Sequence, residues 1–515
     1  ASKAASSLGG NISENAGGPY AFEYGTTLDN ILSYRMVLPQ GNIIDVKRKN
    51  HPRHKIYPDD EVEFEIFDES GNQLDTISLF GHDIRSPQLG KDVTNKFLGG
   101  LPGIQKEGVD GIITEANFVL HSRLKHSRTI CLEFFGSTMH NAALVIEDLV
   151  RLRDKIRQGS NTITMTSLEE FGTKYVRAIN YHKKSNRYEG EPISVLLLQL
   201  DSNNKRLLEN IVWTIVDIAE NYDNVDVLVS RNEEEAKEFW EDRHKLSAIS
   251  KKTSGFKLNE DVVIPLEKIP EFSDYIELLN RYYLALAYYN ALEKVKQLTE
   301  ISEEDEFLRQ EQEVCSRIMA NSTKEFDPSE QELDLQTHYF FQDLKSRYPL
   351  AKNQLSEIKS ELVNYRLEIA NHMHAGDGNC HINIPVHSNN EEMMKQAEEA
   401  VDLVFKKVLQ INGEVSGEHG IGITKIRYLS TEKINELKKY KSIQDPDNVL
   451  NPEKLIRQEP IKEPYNIAWT NIITDLLRTD IPHKNTLVQQ LEHIRTCTRC
   501  GKCKQVCPMY YPEEG

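Results

Sequence analysis

The sequence predicts an α+β protein in which antiparallel sheet is covered by helices, built as more than one domain. Three observations predict it. Residues 141–158 and 205–222 have helical apolar spacing, and they alternate with short apolar runs at 193–200 and 224–230 that read as strands. The chain has 515 residues, more than one ordinary core serves, which indicates two to four domains. Hydrophobic residues make up 39% and charged residues 28%, a balance that fits a globular protein.

Taken in order, residues 1–120 read as mixed strands and glycine turns. Within them, 61–79 form a hairpin around "DESGN". Residues 121–457 carry the helix and strand alternation. Residues 276–298 and 344–369 combine helical apolar spacing with heavy charge, and they are read as a helical hairpin inserted at about 270–370. Its aromatic stripe (Tyr282, Tyr283, Tyr288, Tyr289) is read as core packing. The acidic clusters at 233–235 and 303–306 are read as solvated helix faces. A polar, proline-bearing linker at 458–470 leads to residues 471–515, a helical approach to a cysteine-bearing module.

The formal net charge of −18 argues against nucleic acid and anionic lipid as main partners. No run of eighteen apolar residues is present, so no membrane span is expected; residues 195–200 suit a buried strand. The first ten residues lack signal-peptide order, and the chain is read as a piece of something longer.

Seven cysteines are unevenly placed. Cys131, Cys315 and Cys380 are scattered, whereas "CTRCGKCKQVCP" sets Cys497, Cys500, Cys503 and Cys507 at C-x2-C-x2-C-x3-C-P. Thiolates at that spacing hold iron–sulfur clusters, with the fourth cysteine serving a second cluster in the two-cluster form. A zinc knuckle would separate two C-x2-C pairs by a longer loop, and disulfides would need an oxidising compartment. A 4Fe–4S cluster moves electrons singly, which implies a redox partner.

"NHMHAGDGNCHINIP", residues 371–385, brackets a turn of small residues with histidines. Strands at 368–375 and 380–387 would pair Ala375 with Cys380 and His374 with His381. Opposed side chains stand about 5 Å apart at Cβ, close enough for two imidazoles to share a metal. His372 would then face Asn383 as a supporting residue. A metal needs a third ligand, and "GEVSGEHGIG", residues 413–422, offers Glu418, with the adjacent His419 left free as a base. Glu414 is read as solvated. Two histidines and a carboxylate leave open positions for a substrate.

"HAGDGNCH" and "VSGEHGIG" resemble two signatures of the FAD-linked 2-hydroxy acid dehydrogenases of the vanillyl-alcohol-oxidase fold, a family that includes D-lactate dehydrogenases and the flavin-binding chain of glycolate oxidase. "GGNISENAGGPYAFEYGTTLDNI" and "KEGVDGIITEANFVL" resemble parts of that family's FAD domain. "FWEDRHKLSAI", "NEDVVIPLEKIPE" and "DPDNVLNPEKL" match further landmarks in the same order, over roughly residues 5–457. The resemblance implies the later part of an FAD-binding domain at 1–120, a substrate and metal domain at 121–457, and the start of a ferredoxin-like module at 471–515. It implies that His374, His381 and Glu418 hold a divalent metal, zinc above others, that His419 takes the hydroxyl proton, and that Arg243 pairs with a substrate carboxylate. Gly9, Gly10, Asn11, Asn15, Gly17, Gly18, Gly108, Gly111, Ile112 and Ile113 would line FAD.

Three departures stand out. The family's FAD domain has an N-terminal half with its own phosphate loop, which would precede Ala1. The 2-hydroxyglutarate branch carries a lysine where this chain has Asn259, with Lys257 two residues earlier. The stretch from Pro265 to His374 is longer than the family connection. The resulting expectation is oxidation of a 2-hydroxy acid (D-lactate- or glycolate-like) with electrons passed from FAD through 4Fe–4S centres to an acceptor protein or quinone-linked partner. The alternatives are a metal-dependent hydrolase and a non-catalytic electron-transfer or assembly subunit. A reduced cysteine cluster favours the cytoplasm, with docking at the inner face of a membrane left open.

Overall fold

The structure is a computed structural model that describes residues 6–52, 54–159, 162–244, 256–301, 305–321, 327–387, 390–452, 454–457, 473 and 476–495. The chain opens with α1 (Leu8–Glu14) and two single turns, α2 (Ala21–Tyr24) and α3 (Thr27–Asn30). A five-stranded antiparallel sheet follows from β1 (Ile31–Val37), β2 (Ile43–Arg48), β3 (Glu61–Asp68), β4 (Gln73–Phe80) and β5 (Ile112–Phe118), in the order β4-β3-β2-β1-β5. In β3, Val62, Phe64 and Ile66 alternate with glutamates, so one face is buried and the other is wet. The turn α4 (Gly81–Ile84) leaves β4 toward the second half of the molecule.

That second half is built on a seven-stranded antiparallel sheet. Its strands are β6 (His126–Phe134), β7 (Ile163–Gly172), β8 (Ser194–Ser202), β9 (Val225–Val229), β10 (Phe256–Val263), β11 (Ala370–His374) and β12 (Asn379–Val386). The spatial order is β10-β12-β11-β7-β8-β6-β9. Between them run α5 (His140–Gly159), α6 (Thr173–Ala178), α7 (Lys205–Glu220) and α8 (Glu233–His244). In α7, Asn204 caps the first turn and Leu208, Val212, Ile215 and Ala219 are buried, a spacing that makes one apolar stripe. With α5, that stripe covers Ile130, Leu132, Leu198 and Leu200 on one face of the sheet. On the other face Cys131, Phe171, Val195 and Leu197 pack against Tyr175 of α6 and Phe239 of α8.

Between β10 and β11 the described residues form four α-helices: α9 (Ile269–Lys296), α10 (Glu306–Met319), α11 (Glu330–Arg347) and α12 (Lys352–Tyr365). The expected helical hairpin is therefore corrected to a four-helix insertion, and residues 366–369 lead into β11 instead of extending a helix. The first half of α9 buries Phe272, Ile276 and Leu279 against the sheet core. Its second half buries Leu284, Tyr288, Leu292 and Val295 in a separate core shared with Leu308, Phe341 and Leu355. Tyr283 and Tyr288 are buried, and Tyr282 and Tyr289 pack against the two cores. After β12, α13 (Glu391–Gln410) and α14 (Thr431–Gln444) close the fold, and α15 (Lys484–Arg495) lies beyond them in sequence. No helix among the described residues is long and apolar enough to cross a membrane.

Candidate active site

The turn between β11 and β12 spans Ala375 to Gly378. Gly378 has φ of +72°, and a Cβ there would lie 2.1 Å from the Ile264 carbonyl oxygen, so only glycine fits. The register differs from the expected one: Met373 stands opposite Cys380, His374 opposite Asn379, and His372 opposite His381. Pairings of Ala375 with Cys380, His374 with His381 and His372 with Asn383 are thus replaced. The first strand ends one residue earlier than expected, at His374, and the second starts one earlier, at Asn379, a shift of two in pairing. A shift of two preserves the face, whereas a shift of one would have separated the histidines. His374 and His381 are diagonal neighbours, with ring centres 5.1 Å apart and planes at 87°.

Glu418 arrives from the loop 413–422, which is clamped from both sides. Val263 and Glu414 exchange backbone hydrogen bonds of 2.8 Å. The Gly417 and Glu418 amides donate to Asp261 Oδ2 at 2.7 and 2.8 Å, and the Ile421 and Gly422 amides donate to Glu107 at 2.6 and 2.9 Å. At Gly420 (φ +85°) a Cβ would lie 2.2 Å from Glu14 Oε2, so the backbone passes where no side chain fits. Glu414 is not solvated as expected; it pairs with Lys433 at 3.0 Å.

Three ligand atoms, one each from His374, His381 and Glu418, lie within 4.8 Å of one another. Glu418 Oε1 is 3.2 Å from His381 Nε2 and 3.7 Å from His374 Nε2. Donors each about 2.1 Å from one ion stand about 3–4 Å apart, so the set fits a divalent metal. His419 stands beside it, with Nε2 3.7 Å from Glu418 Oε1 and Nδ1 3.7 Å from Asp261 Oδ1. The loop's backbone donors leave the two side chains 3.7 Å apart on the same side of the trio.

The supporting charges were missed in the sequence. Glu169 on β7 sits opposite His374 and accepts from its Nδ1 at 2.6 Å, which leaves Nε2 directed at the trio. Its other oxygen is 3.3 Å from Arg243 Nε. Lys91, fully buried, is 3.1 Å from Glu418 Oε2 and 3.3 Å from both Asp377 Oδ2 and Asn379 Oδ1. Asp261 on β10 holds Lys425 at 2.8 Å. Only Asp261 gave a sign: it is an acid inside the "NEDVVIP" strand. Lys91 and Glu169 come from remote segments with no local mark.

Burial opposes charge on Glu418, yet Lys91 and then His374 hold its carboxyl well below the usual range. Asp261 is likewise depressed, burial being outweighed by Lys425 and His419. Burial pulls His381 down to about 4, so it is a neutral imidazole at pH 7. Burial also acts on His374, but Glu169 and Glu418 outweigh it and raise it to about 9. The negative field that keeps a proton on His374 would hold a cation in its place.

The candidate flavin residues fall into two groups. Gly9, Gly10 and Asn11 lie on α1 beside β5; a Cβ on Gly9 would be 3.7 Å from the Ile113 carbonyl. Ile112 there is exposed. Gly17 approaches Lys91 Cε, linking the stretch to the trio, and the Gly18 carbonyl accepts from Ala21. The others serve the interior. Asn15 donates to Gln105 and accepts from the Leu28 amide, both at 2.8 Å, Gly108 lies against Asn451, and Gly111 packs on Met36. Cys497, Cys500, Cys503 and Cys507 lie outside the described residues, as does the side chain of His244.

Residues 146–290 and 301–455, more than half of the chain, match the family model for the C-terminal domain of FAD linked oxidases. The chain belongs to the FAD-linked oxidase family. Residues 1–47 match an FAD binding domain. Among relatives, glycolate oxidase subunit GlcD of Bacillus subtilis is 22% identical over 464 residues, 89% of this chain and 69% of that protein. The mitochondrial D-lactate dehydrogenase (cytochrome) of Kluyveromyces lactis is 22% identical over 465 residues, 88% of this chain and 57% of its own length. The chain spans little more than half of the mitochondrial lactate dehydrogenases it matches. Glycolate oxidase subunit GlcD of Escherichia coli is 38% identical over 96 residues, 18% of this chain and 19% of that protein.

Proposed function

We propose that this FAD-linked oxidase oxidises a small 2-hydroxy acid, D-lactate- or glycolate-like, to the 2-oxo acid. The observation that carries the reading is the convergence of His374, His381 and Glu418 with His419 beside them and Arg243 held nearby by Glu169. The named relatives, a glycolate oxidase subunit and a D-lactate dehydrogenase, support the same substrate class.

A divalent metal, zinc in our reading, would be held by His374, His381 and Glu418; bound there it would supply Lewis acidity to the substrate's oxygens, and bound FAD would supply the hydride acceptor. The chain's own residues do the rest. Arg243 offers a planar fork to the substrate carboxylate, oriented through its contact with Glu169. His419, a third exposed, takes the hydroxyl proton at the open side of the trio. Lys91 occupies the far oxygen of Glu418 and so leaves a single oxygen facing the imidazoles. Onward transfer through 4Fe–4S centres to an acceptor protein or quinone-linked partner, in the cytoplasm or at the inner face of the membrane, rests on the spacing of Cys497, Cys500, Cys503 and Cys507.

The test is anaerobic mixing of the intact protein with a panel of D- and L-2-hydroxy acids while flavin absorbance is followed. Bleaching by at least one acid is expected. His419→Ala is expected to keep flavin and metal bound and to slow bleaching about 10²–10⁴-fold, the range of a lost general base. A His419→Ala variant that bleaches at the normal rate would refute the role of that imidazole.

A further inference from the structure

Lys91 touches the trio from the side away from the imidazoles. Its side chain is fully buried, and its ammonium stands among three oxygens: Glu418 Oε2 at 3.1 Å, Asp377 Oδ2 at 3.3 Å and Asn379 Oδ1 at 3.3 Å. An ammonium has three N–H groups to give, so three acceptors fill it. The third acceptor is itself held. The Asn379 amide nitrogen donates to Asp261 Oδ2 at 3.2 Å and to the Val262 carbonyl at 3.1 Å, which turns the amide oxygen to the lysine.

The backbone that carries Lys91 is fixed on both sides. The Gly90 carbonyl accepts from Lys55 at 2.8 Å, and a Cβ on Gly90 would lie 2.3 Å from Asp377 Cβ, so this segment is pressed onto the turn between β11 and β12. Three residues further on, the Val93 amide donates at 3.2 Å to the Ser416 carbonyl, in the loop that delivers Glu418. Beside the stem, a Cβ on Gly17 would be 3.1 Å from Lys91 Cε. The ammonium has neither space nor a spare donor with which to leave Glu418.

This bears on which ion the trio takes. Glu418 offers Oε1 to the imidazoles, 3.2 Å from His381 Nε2 and 3.7 Å from His374 Nε2, while Oε2 is already spent on a cation. A second cation on Oε2 would meet the ammonium across a single atom. The donor set is therefore two ring nitrogens and one oxygen. Zinc is satisfied by imidazole and a single carboxylate oxygen, whereas calcium and manganese draw their affinity from oxygen, and calcium sites use carboxylates that chelate with both oxygens.

We propose that Lys91 selects the ion: by holding the far oxygen of Glu418 it keeps that carboxylate to one bond, so the trio takes zinc and discriminates against the oxygen-seeking ions manganese and calcium. The inference rests on the metal reading of the trio and deepens it. Lys91 acts through Glu418, as a positioning residue.

The experiment uses the intact flavin-loaded protein freed of metal, with zinc, manganese(II) and calcium affinities measured by competitive chelator titration. Lys91→Met is expected to shift the manganese-to-zinc and calcium-to-zinc affinity ratios by about tenfold or more toward the oxygen-seeking ions, because the released carboxylate can then chelate with both oxygens. A lysine that only stabilised the fold would, once removed, weaken all three ions alike, so unchanged ratios overturn the proposal. A crystal structure of the zinc-loaded, unaltered protein tests it without any variant. Glu418 is expected to bind through one oxygen at about 2.0–2.2 Å with the other still on Lys91, and both oxygens on the ion overturn the proposal. An unaltered protein that binds none of the three ions at one per chain overturns the metal reading itself, a result distinct from unchanged ratios.

Discussion

The four-helix insertion and the β10-β12-β11 end of the large sheet are both deeply buried, and they are stabilised by opposite means. The insertion hides Leu284, Leu292, Phe341 and Leu355 against one another, in a core made of the insertion's own residues. The sheet end hides His374, Asp261, Glu169 and Lys91, each of which would be untenable alone. There every carboxylate has its cation: Lys91 for Glu418, Lys425 for Asp261, and His374 with Arg243 for Glu169. Burial of apolar surface tolerates a changed neighbour at a graded cost, whereas a buried charge network loses its balance when one member goes.

The sharpest way to break this contrast is Glu418→Gln. It removes the carboxylate charge from the trio and weakens the pairing with Lys91, which keeps Asp377 and Asn379, so zinc affinity is expected to fall by more than about a hundredfold, measured by competitive chelator titration. Phe341→Ala attacks the other region. It should destabilise the insertion by about 3–5 kcal/mol in a local unfolding transition while zinc content stays at its normal value. Loss of zinc in that variant would show that the two regions are coupled. Glu169→Gln probes the network at one remove from the trio, and a drop of about 10–100-fold in zinc affinity is expected. In the unaltered protein, zinc affinity should rise with pH up to about 9, because the proton that Glu169 and Glu418 keep on His374 must leave first.

The smallest effect comes from Glu170, on the opposite face of β7. Burial raises its carboxyl to about 8, and the Ser194 hydroxyl donates to it at 2.8 Å. The folded state therefore favours the protonated acid, and this group's contribution to stability declines as pH rises from about 4.5 through about 8. Glu170→Gln is expected to flatten that decline in urea melts compared across the same pH range, with little change at pH 5.

Local pattern carried much of this into the sequence. Helices α5 and α7 and strands β8 and β9 follow from their apolar spacing, and the β3–β4 hairpin follows from a glycine turn between alternating strands. The site histidines were legible because face depends only on parity, and parity survived a register that was off by two. Helices α10 and α11 were less legible: Leu308, Gln312, Cys315 and Ile318 make a narrow stripe in a heavily charged segment, and one of its buried members is itself polar. Lys91, Glu169 and Asp261 could not be grouped from the sequence because what unites them is contact across remote segments, with nothing periodic to announce it. Their neutralisation is a property of the assembled fold.

Lys91 belongs to the segment between β4 and β5, and Glu107, which holds the amides of Ile421 and Gly422, belongs to the same stretch. Each helps to fix a loop more than three hundred positions further on. During synthesis on a ribosome, therefore, the early lobe waits with Lys91 lacking Glu418, and with Glu107 paired to Lys96 but lacking its loop amides, until the 413–422 loop emerges. Grafting that loop and its sheet onto a foreign flavin lobe would bring over the histidines and leave the counter-charge behind.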